Sequence, residues 1–366
     1  IDPSKTEITL TTHPKEMLPL DELVFGKSFS DHMLSIDWDE INGWQNPTIS
    51  PYKNFSISPA ATVFHYAIEC FEGMKAYKDK SGVIRLFRPD CNMDRLLYSM
   101  QRLAMPKFNS DGFIDCIKQL LLVDKNWIPD QEGYSIYIRP TAIGTSPYLG
   151  VHASETVKLY VILSPVGPYY KHGFKPIKLY ADTANIRAWP GGVGNAKVGG
   201  NYAPTILPSK LVAEKGYSQI LWLFGENHEI TEVGAMNIFF LIKKSDSNII
   251  ELITPPLSRG DILPGVTRRS IIDIAKSWSG DESIQVSERS ITMSEVRSAQ
   301  LDGRLLEVFG CGTAVVISPV KAIHYNDEDI KVPTGDDVGP IAYKLWKTLY
   351  DIQYGKVEHP WSVRVN

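Results

Sequence analysis

The chain has 366 residues, of which 43% are hydrophobic and 22% are charged, and its formal net charge at pH 7 is −4. These values are typical of a globular protein with room for two domains. The slight acidic excess argues against a nucleic-acid partner, and apolar runs such as 238–242 are too short to span a bilayer. The four cysteines form no C-x-x-C pair, which argues against a zinc ribbon and suits a reducing compartment.

Hydrophobic periodicity predicts a mixed chain of strands and helices without internal repeats. In the first half we predict strands at 62–66, 71–77, 83–87, 135–140 and 157–165, and helices at 90–103 and 113–123. In the second half we predict strands at 177–180, 219–224, 237–242, 305–309 and 315–317, and helices at 202–215, 266–277 and 341–354. The expected fold class is therefore α/β or α+β, with two domains joined by a Pro- and Gly-containing linker at 166–176.

Lys197 lies in the stretch 187–202, which contains five glycines and a proline. A flexible cation in such a setting is either an anion-binding lysine or a reactive amine. The stretch is not a P-loop, because Ala196 and Val198 stand where that motif needs Gly and Ser or Thr, and a dinucleotide fingerprint would need Gly in place of Lys197. Two interpretations of Lys197 are left. It forms a Schiff base with a carbonyl or with pyridoxal phosphate (PLP), or the stretch is a structural turn that carries a solvated lysine.

Glu232 is a candidate partner for such a cofactor, because only one predicted helix and a strand pair separate it from Lys197. An acidic group at the pyridine nitrogen of PLP keeps that nitrogen protonated, so that the ring can accept electrons. Taken alone, Glu232 is more simply interpreted as an exposed carboxylate before a turn.

Two stretches are suited to bind a phosphate or a carboxylate. The predicted helix at 266–277 follows a Pro-Gly pair, and the amides of Val266 and Thr267 are free at its first turn. The small-residue turn at 310–314 offers amides to another anion. Arg95 can add a bidentate charge, although a surface pair within its own helix is the simpler interpretation of this residue alone.

These residues and their neighbours resemble the fold-type IV PLP enzymes, and among them the branched-chain amino-acid aminotransferases of the longer, eukaryotic type. The resemblance runs from about residue 23 to residue 365 and rests on seven motifs in order. They are FEGMKAY at 71–77, FRP with NMDR at 87–95, YIRP at 137–140, RAWPGGVGN at 187–195 with Lys197, TEVG at 231–234, LPGVTR at 263–268 and GCGTA at 310–314.

The resemblance implies a role for each candidate residue. Lys197 is implied to be the Schiff-base lysine and proton shuttle, Glu232 the partner of the pyridine nitrogen and Tyr202 the partner of the ring hydroxyl. The phosphate and the ring are implied to contact Arg95, Arg187, Leu263, Val266, Thr267 and Thr313. The substrate is implied to contact the amides of Thr313 and Ala314, the side chains of Tyr66, Phe71, Tyr137, Arg139 and Tyr169, and Val151 from the other subunit of a homodimer.

The same resemblance implies a small N-terminal domain over 1–165, an interdomain loop over 166–176 and a large pseudo-barrel PLP-binding domain over 177–366. It implies a reversible ping-pong transfer of the amino group between L-leucine, L-isoleucine or L-valine and 2-oxoglutarate, in branched-chain amino-acid biosynthesis or catabolism. We expect no metal, nucleic-acid or membrane partner. The absent initiator Met and the eukaryotic type favour the mitochondrial matrix, with the cytoplasm as the alternative.

Two places depart from the family pattern. Ala235 stands where many relatives have threonine, which removes a hydroxyl beside the cofactor. Val315 and Ser318 stand where mammalian relatives have a C-x-x-C pair, which argues against thiol regulation there. The alternatives are another fold-type IV enzyme, such as a D-amino-acid aminotransferase or an aminodeoxychorismate lyase, and a PLP-binding homodimer without catalysis.

Overall fold

A computed structural model of the chain describes residues 1–168, 174–278 and 284–365. Contacts divide the described residues into two compact units. Unit 1 contains 1–168, 196–200 and 351–365, and unit 2 contains 174–195, 201–278 and 284–350. The described helices are α1 Thr62–Tyr66, α2 Pro89–Arg102, α3 Ser110–Val123, α4 Ile206–Glu214, α5 Val266–Ser277, α6 Met293–Leu301 and α7 Pro340–Gln353.

Unit 1 is built on one sheet that is almost entirely antiparallel. Its described strands are β1 Glu7–Ile8, β2 His32–Asp39, β3 Gly43–Trp44, β4 Thr48–Pro51, β5 Glu69–Phe71, β6 Met74–Lys78, β7 Ile84–Phe87, β8 Ser135–Gly144, β9 Thr156–Val166 and β19 Ser362–Arg364. The strand order is β1-β4-β2-β9-β8-β6-β7-β19, with β3 on β2 and β5 on β8. The long β8–β9 pair runs from Ser135 opposite Val166 to Gly144 opposite Val157, and α2 and α3 pack against this sheet through β5 and β2.

Unit 2 contains a second sheet of mixed direction. Its described strands are β10 Ile177–Asp182, β11 Gln219–Phe224, β12 Glu229–Val233, β13 Asn237–Lys243, β14 Ile250–Thr254, β15 Ile284–Glu288, β16 Leu305–Cys311, β17 Ile317–Tyr325 and β18 Glu328–Lys331. The order is β12-β11-β10-β17-β16-β13-β14-β15, with β18 on β17. The β10–β11, β10–β17 and β14–β15 pairs are parallel. Ile238, Phe240 and Ile323 are fully buried in the core that this sheet encloses.

The predicted strand at 71–77 is interrupted, and Pro140 explains the interruption. β5 and β6 both pair with β8 in one continuous register, which leaves Glu72 opposite Pro140. The Glu72 amide donates to the Pro140 carbonyl at 2.8 Å, but proline has no N–H with which to return a hydrogen bond. The ladder therefore breaks at Glu72 and Gly73, and the break falls inside the first of the family motifs.

Most predicted elements have the right type, and the mixed α/β class is confirmed. The strand predicted at 62–66 is wrong, because these residues form the short helix α1, which ends where Ala67 adopts a left-handed conformation (φ 52°). The strand predicted from 315 begins only at Ile317, after a turn in which the Gly312 amide donates to the Val315 carbonyl. The stretch 202–215 consists of 3₁₀ turns followed by α4, which begins only at Ile206.

The division of the chain at 165 and 177 stays a prediction. The contact-based units differ from it, because 196–200 and 351–365 group with unit 1 rather than with the C-terminal half of the chain. The C-terminal strand β19 pairs with β7, and this pairing explains why 351–365 groups with unit 1. Within the described ranges, no helix is both long and apolar enough to cross a membrane.

Candidate active site

Helix α2 carries a buried polar stripe beside its apolar one. Met93, Leu96 and Met100 are fully buried, as the helical spacing predicts. Asn92, Arg95 and Ser99, at spacings of three and four residues, are buried as well and form a second stripe. Buried polar side chains need partners, and the stripe finds them in Glu72 and in the backbone of Lys197. The simple interpretation of Arg95 as a surface residue is therefore wrong: Arg95 is 7% exposed.

The backbone around Lys197 is held in place from several sides in unit 1. The Lys197 amide donates to the Ser99 hydroxyl at 2.8 Å, and the Lys197 carbonyl accepts from the Phe71 amide at 3.1 Å. Val198 forms an antiparallel bridge with Cys70. The Gly199 amide donates to the Glu69 carboxylate, which lies so close that a Cβ at Gly199 would collide with it. The lysine segment is thus anchored on β5 and α2.

The amine of Lys197 lies in a buried environment with several charges. Its Nζ lies 4.8 Å from the centroid of the Phe71 ring. The pKa of Lys197 is lowered to about 8, chiefly by burial and next by the nearby Arg95, while Glu72 acts in the opposite direction. Weaker influences come from Tyr137, which raises this pKa, and Arg139, which lowers it. Roughly a tenth of the amine is therefore neutral, and hence nucleophilic, at pH 7.

Phe71, Tyr137 and Arg139 lie on one face of the unit 1 sheet. The Arg139 guanidinium carbon lies 4.5 Å from the Phe71 ring centroid, so this ring contacts both Arg139 and the Lys197 amine. Arg139 Nη2 donates to the Tyr137 hydroxyl at 2.9 Å, whereas the buried Arg139 Nε has no hydrogen-bond partner among the described residues. Gly73 is required here, because a Cβ would collide with the Tyr137 hydroxyl.

The structure also places Tyr66 and Val151 together. Tyr66 ends α1, and its hydroxyl accepts a hydrogen bond of 2.9 Å from the Gly150 amide. This contact holds the loop that carries Val151, whose side chain is 85% exposed. Tyr169, the remaining predicted pocket residue, lies outside the described residues.

Glycines of the lysine stretch also have packing roles in unit 2. Gly194 lies against Ala188 and the backbone of Asp261, where a Cβ would collide with both. Gly191 adopts φ 82°, a conformation that favours glycine. Gly191, Gly194 and Gly199 are thus explained by a turn conformation or by close packing.

Glu232 is a buried carboxylate on β12 in unit 2. It is 3% exposed, so its interpretation as a surface glutamate is wrong. Its Oε1 accepts from the Leu263 amide at 2.7 Å, and its Oε2 lies 3.2 Å from Arg187 Nε. These contacts bring together three of the predicted cofactor residues.

The start of α5 is suited to bind an anion. Gly265 is the N-cap residue and provides no side-chain cap, while Val266 and Thr267 of the first turn are buried. The loop before the helix is held by Asn237, whose Nδ2 donates to the Leu263 carbonyl at 2.9 Å. Free amides at a helix N-terminus stabilise a phosphate group through hydrogen bonds and the helix dipole.

Thr313, Ala314 and Tyr202 lie elsewhere in unit 2. Thr313 and Ala314 belong to the turn between β16 and β17, where Thr313 is half-buried and Ala314 is exposed. Tyr202 is half-buried, and its carbonyl accepts from the Thr205 hydroxyl at 2.7 Å. No group of three or more His, Cys, Asp or Glu residues within 1–168, 174–278 and 284–365 could hold a metal ion.

The residues of the two units fit PLP in kind. Unit 1 supplies a half-buried lysine whose amine has a lowered pKa and a buried arginine, and unit 2 supplies a buried carboxylate and an uncapped helix N-terminus. These groups match the aldehyde, phosphate and pyridine nitrogen of the cofactor. Sequence reasoning missed Glu72, Ser99 and Asn237, which make hydrogen bonds with Arg95, with the Lys197 amide and with the Leu263 carbonyl. Strand alternation does place Glu72 on the same face as Met74 and Ala76, and this polar residue in an apolar row was the available signal.

Comparisons with known proteins agree with this chemistry. The family model described as "Amino-transferase class IV" matches residues 69–323. A branched-chain-amino-acid aminotransferase of Monosiga brevicollis is 52% identical over 363 residues, covering 99% of this chain and 92% of the relative. The cytosolic enzyme of that name from Saccharomyces cerevisiae is 49% identical, covering 99% and 97%. Relatives named mitochondrial, from the same yeast and from Mus musculus, also match.

Solved structures agree on the fold. The branched-chain amino acid aminotransferase of Thermobaculum terrenum in its PLP form superimposes with a TM-score of 0.72 at 24% identity, covering 92% of this chain and 98% of that structure. The predicted fold-type IV architecture is thereby confirmed. The expected cofactor is confirmed by the class IV aminotransferase family model, and a branched-chain aminotransferase that is 26% identical to this chain was solved with pyridoxamine 5'-phosphate. The chain belongs to the class IV aminotransferase family and is a PLP-dependent aminotransferase.

Proposed function

We propose that this enzyme transfers the amino group between L-leucine, L-isoleucine or L-valine and 2-oxoglutarate. The observation that carries the proposal is the Phe71 ring, which contacts the Lys197 amine and the Arg139 guanidinium. One aromatic surface thus lies beside both a reactive amine and a cation. The names of the relatives, at about 50% identity over nearly the whole chain, support the same substrate class.

Residues of this chain have distinct tasks in the proposed reaction. When bound, PLP supplies an electron sink for the α-carbon and stores the amino group between two half-reactions, which gives ping-pong kinetics. Lys197 would hold the cofactor, and its neutral amine would take the α-proton of the substrate. Its lowered pKa, about 8, suits this task because a general base must be unprotonated at the working pH.

The remaining cofactor residues bind and orient PLP in this proposal. Glu232 keeps the pyridine nitrogen protonated, Tyr202 binds the ring hydroxyl and Leu263 packs on the ring. The phosphate is bound by Arg95, Val266, Thr267 and Thr313, with Arg187 held beside Glu232. The amides of Thr313 and Ala314 receive the substrate α-carboxylate.

A single pocket has to accept a branched apolar side chain and the side chain of glutamate. Phe71, Tyr66, Tyr137 and Tyr169 provide the aromatic wall for the first. For the second, Arg139 offers its unpartnered Nε, and a distal carboxylate that binds there forms a charge-assisted hydrogen bond.

The proposed assembly is a homodimer in which Val151 completes the pocket of the other subunit. The exposed Val151 side chain, on a loop held by Tyr66, supports this role. The relatives include mitochondrial and cytosolic forms, and both compartments are consistent with the family. The mitochondrial matrix stays a prediction.

Substrate class is tested by initial rates over a panel of L-amino acids with 2-oxoglutarate as acceptor. We expect L-leucine, L-isoleucine and L-valine to exceed other L-amino acids by at least about tenfold in kcat/KM, because the aromatic wall favours branched apolar groups. D-leucine is the control for the alternative fold-type IV enzymes. Faster turnover of D-leucine than of L-leucine would refute the proposal.

Replacement of the lysine tests the catalytic assignment. The Lys197→Ala variant is expected to lose the visible absorbance of bound PLP and about 10³-fold or more of the turnover rate, because no other amine is in place. Lys210→Ala, at an exposed position on α4, is the matched control and should behave like the unaltered enzyme. Substantial transamination by Lys197→Ala would contradict the assignment.

The Arg139→Gln variant tests the site for the distal carboxylate. We expect the half-reaction with glutamate to slow about 10- to 100-fold, since a charge-assisted hydrogen bond contributes about 1.5–3 kcal/mol. The half-reaction with leucine should change less than about threefold, because its side chain makes no such bond. Stopped-flow absorbance measures both half-reactions, and Arg102→Gln on the exposed side of α2 is the control. Equal losses in the two half-reactions would argue against the role.

The Val151→Asp variant tests the contribution of the second subunit. A charged side chain in an apolar pocket is expected to raise KM for L-leucine about tenfold or more while leaving the melting temperature unchanged, because Val151 is exposed within its own chain. Val357→Asp, at another exposed position in unit 1, is the control. Sedimentation velocity measures the assembly directly, and an active monomer would rule out the shared pocket.

A further inference from the structure

Glu72 is a fully buried carboxylate to which none of the roles above assigns a task. It lies at the break between β5 and β6, and its neighbours on the same sheet face are Met74, Ala76, Ile136 and Ile138, all of which are buried. A charged side chain in such an apolar row is costly unless it is paired. Its presence therefore requires strong compensating contacts.

Those contacts come from α2 and from the strand break itself. Glu72 Oε1 accepts from Arg95 Nε at 2.7 Å, and Glu72 Oε2 accepts from Arg95 Nη2 at 2.8 Å, which makes the pair bidentate. Oε2 also accepts from Asn92 Nδ2 at 2.8 Å and from the Gly73 amide at 3.1 Å. A bidentate pair of this kind fixes the plane of the guanidinium as well as its position.

Glu72 also acts on Lys197. Burial raises the pKa of Glu72, but Arg95, Lys197 and Asn92 outweigh burial, so its pKa is lowered and the carboxylate is charged. Among the groups that act on the Lys197 amine are Arg95 from α2, Glu72 from the strand break, and Tyr137 and Arg139 from β8. Arg95 and Arg139 are cations, and the Glu72 carboxylate acts against them.

We propose that Glu72 is a positioning residue of the active site, which orients the Arg95 guanidinium for the cofactor phosphate and balances its charge where α2 and β5 hold the Lys197 segment. This inference rests on the proposed roles of Lys197 and Arg95. Without the Glu72 charge, Arg95 loses its bidentate partner and repels the Lys197 ammonium without compensation. The amine then loses its proton at lower pH, and the phosphate meets a guanidinium that is no longer held in one plane.

The experiment uses Glu72→Gln, which keeps the side-chain volume and removes the charge. In the cofactor-free full chain, the rate at which an amine-selective acylating reagent modifies Lys197 is followed against pH by peptide mass spectrometry. The unaltered protein is expected to show a midpoint near pH 8. In Glu72→Gln the midpoint should fall by about one pH unit or more, so that labelling at pH 7 becomes several-fold faster. Equilibrium titration should show PLP affinity reduced about tenfold or more.

Two controls separate charge from geometry. Glu72→Asp keeps the charge but shortens the side chain, so it should retain most of the labelling midpoint while still losing PLP affinity. Glu226→Gln, at an exposed turn position in unit 2, should change neither quantity, and Lys210 serves as the exposed reference lysine within each digest. Circular dichroism of each variant checks that it is folded.

Each outcome bears on the inference. A midpoint in Glu72→Gln equal to that of the unaltered protein, or unchanged PLP affinity in both variants, would overturn it. Should Glu72→Gln not fold, the PLP affinity of Glu72→Asp decides, and an unchanged value overturns it. Labelling needs no turnover, so this result is independent of the proposed substrates. Failure of the substrate assignment would appear instead in the amino-acid panel, and failure of the catalytic assignment would appear in Lys197→Ala.

Discussion

The candidate active site depends on the burial of one carboxylate among several cations. Arg95 and the Lys197 amine are withdrawn from water in unit 1, and desolvation of a cation is unfavourable. Glu72, with hydrogen bonds from Arg95, Asn92 and Gly73, keeps this arrangement from being a buried excess of positive charge. Burial and Arg95 nevertheless lower the pKa of Lys197 to about 8. A partly neutral amine is what amino-group chemistry requires.

Backbone geometry fixes where these charges lie. Pro140 breaks the ladder between β8 and the strands β5 and β6, so that Glu72 is held at the break. Close packing then determines small residues in the same region: Gly73 admits the Tyr137 hydroxyl, and Gly199 admits the Glu69 carboxylate. The Lys197 amide and carbonyl are both hydrogen-bonded, so the backbone position from which its side chain extends is fixed. Chemical function in this unit therefore follows from main-chain contacts as much as from side chains.

Unit 2 also contains a buried carboxylate that is stabilised by an arginine and by a backbone amide. Glu232 is buried on β12, and its two oxygens are satisfied by the Leu263 amide and the Arg187 guanidinium. The same loop that supplies the Leu263 amide leads into α5, whose first amides have no side-chain cap. One carboxylate thereby helps to hold the loop that leads into α5, and Asn237 holds the same loop through the Leu263 carbonyl.

The sequence by itself determined the mixed α/β class, most strands and helices, the family motifs and hence the cofactor, because periodicity and residue type are local properties of the chain. It also singled out Lys197, Arg95 and Glu232, although only the full set of motifs outweighed their interpretation as surface residues. The burial of Arg95 and Glu232, the break at Glu72 and the role of Ser99 required the tertiary structure. Each of these depends on a partner far away in the chain: Glu72 for Arg95, Leu263 for Glu232, Pro140 for the break and Lys197 for Ser99. Hydrophobic spacing along one helix or strand carries no information about which distant polar group will satisfy a buried one.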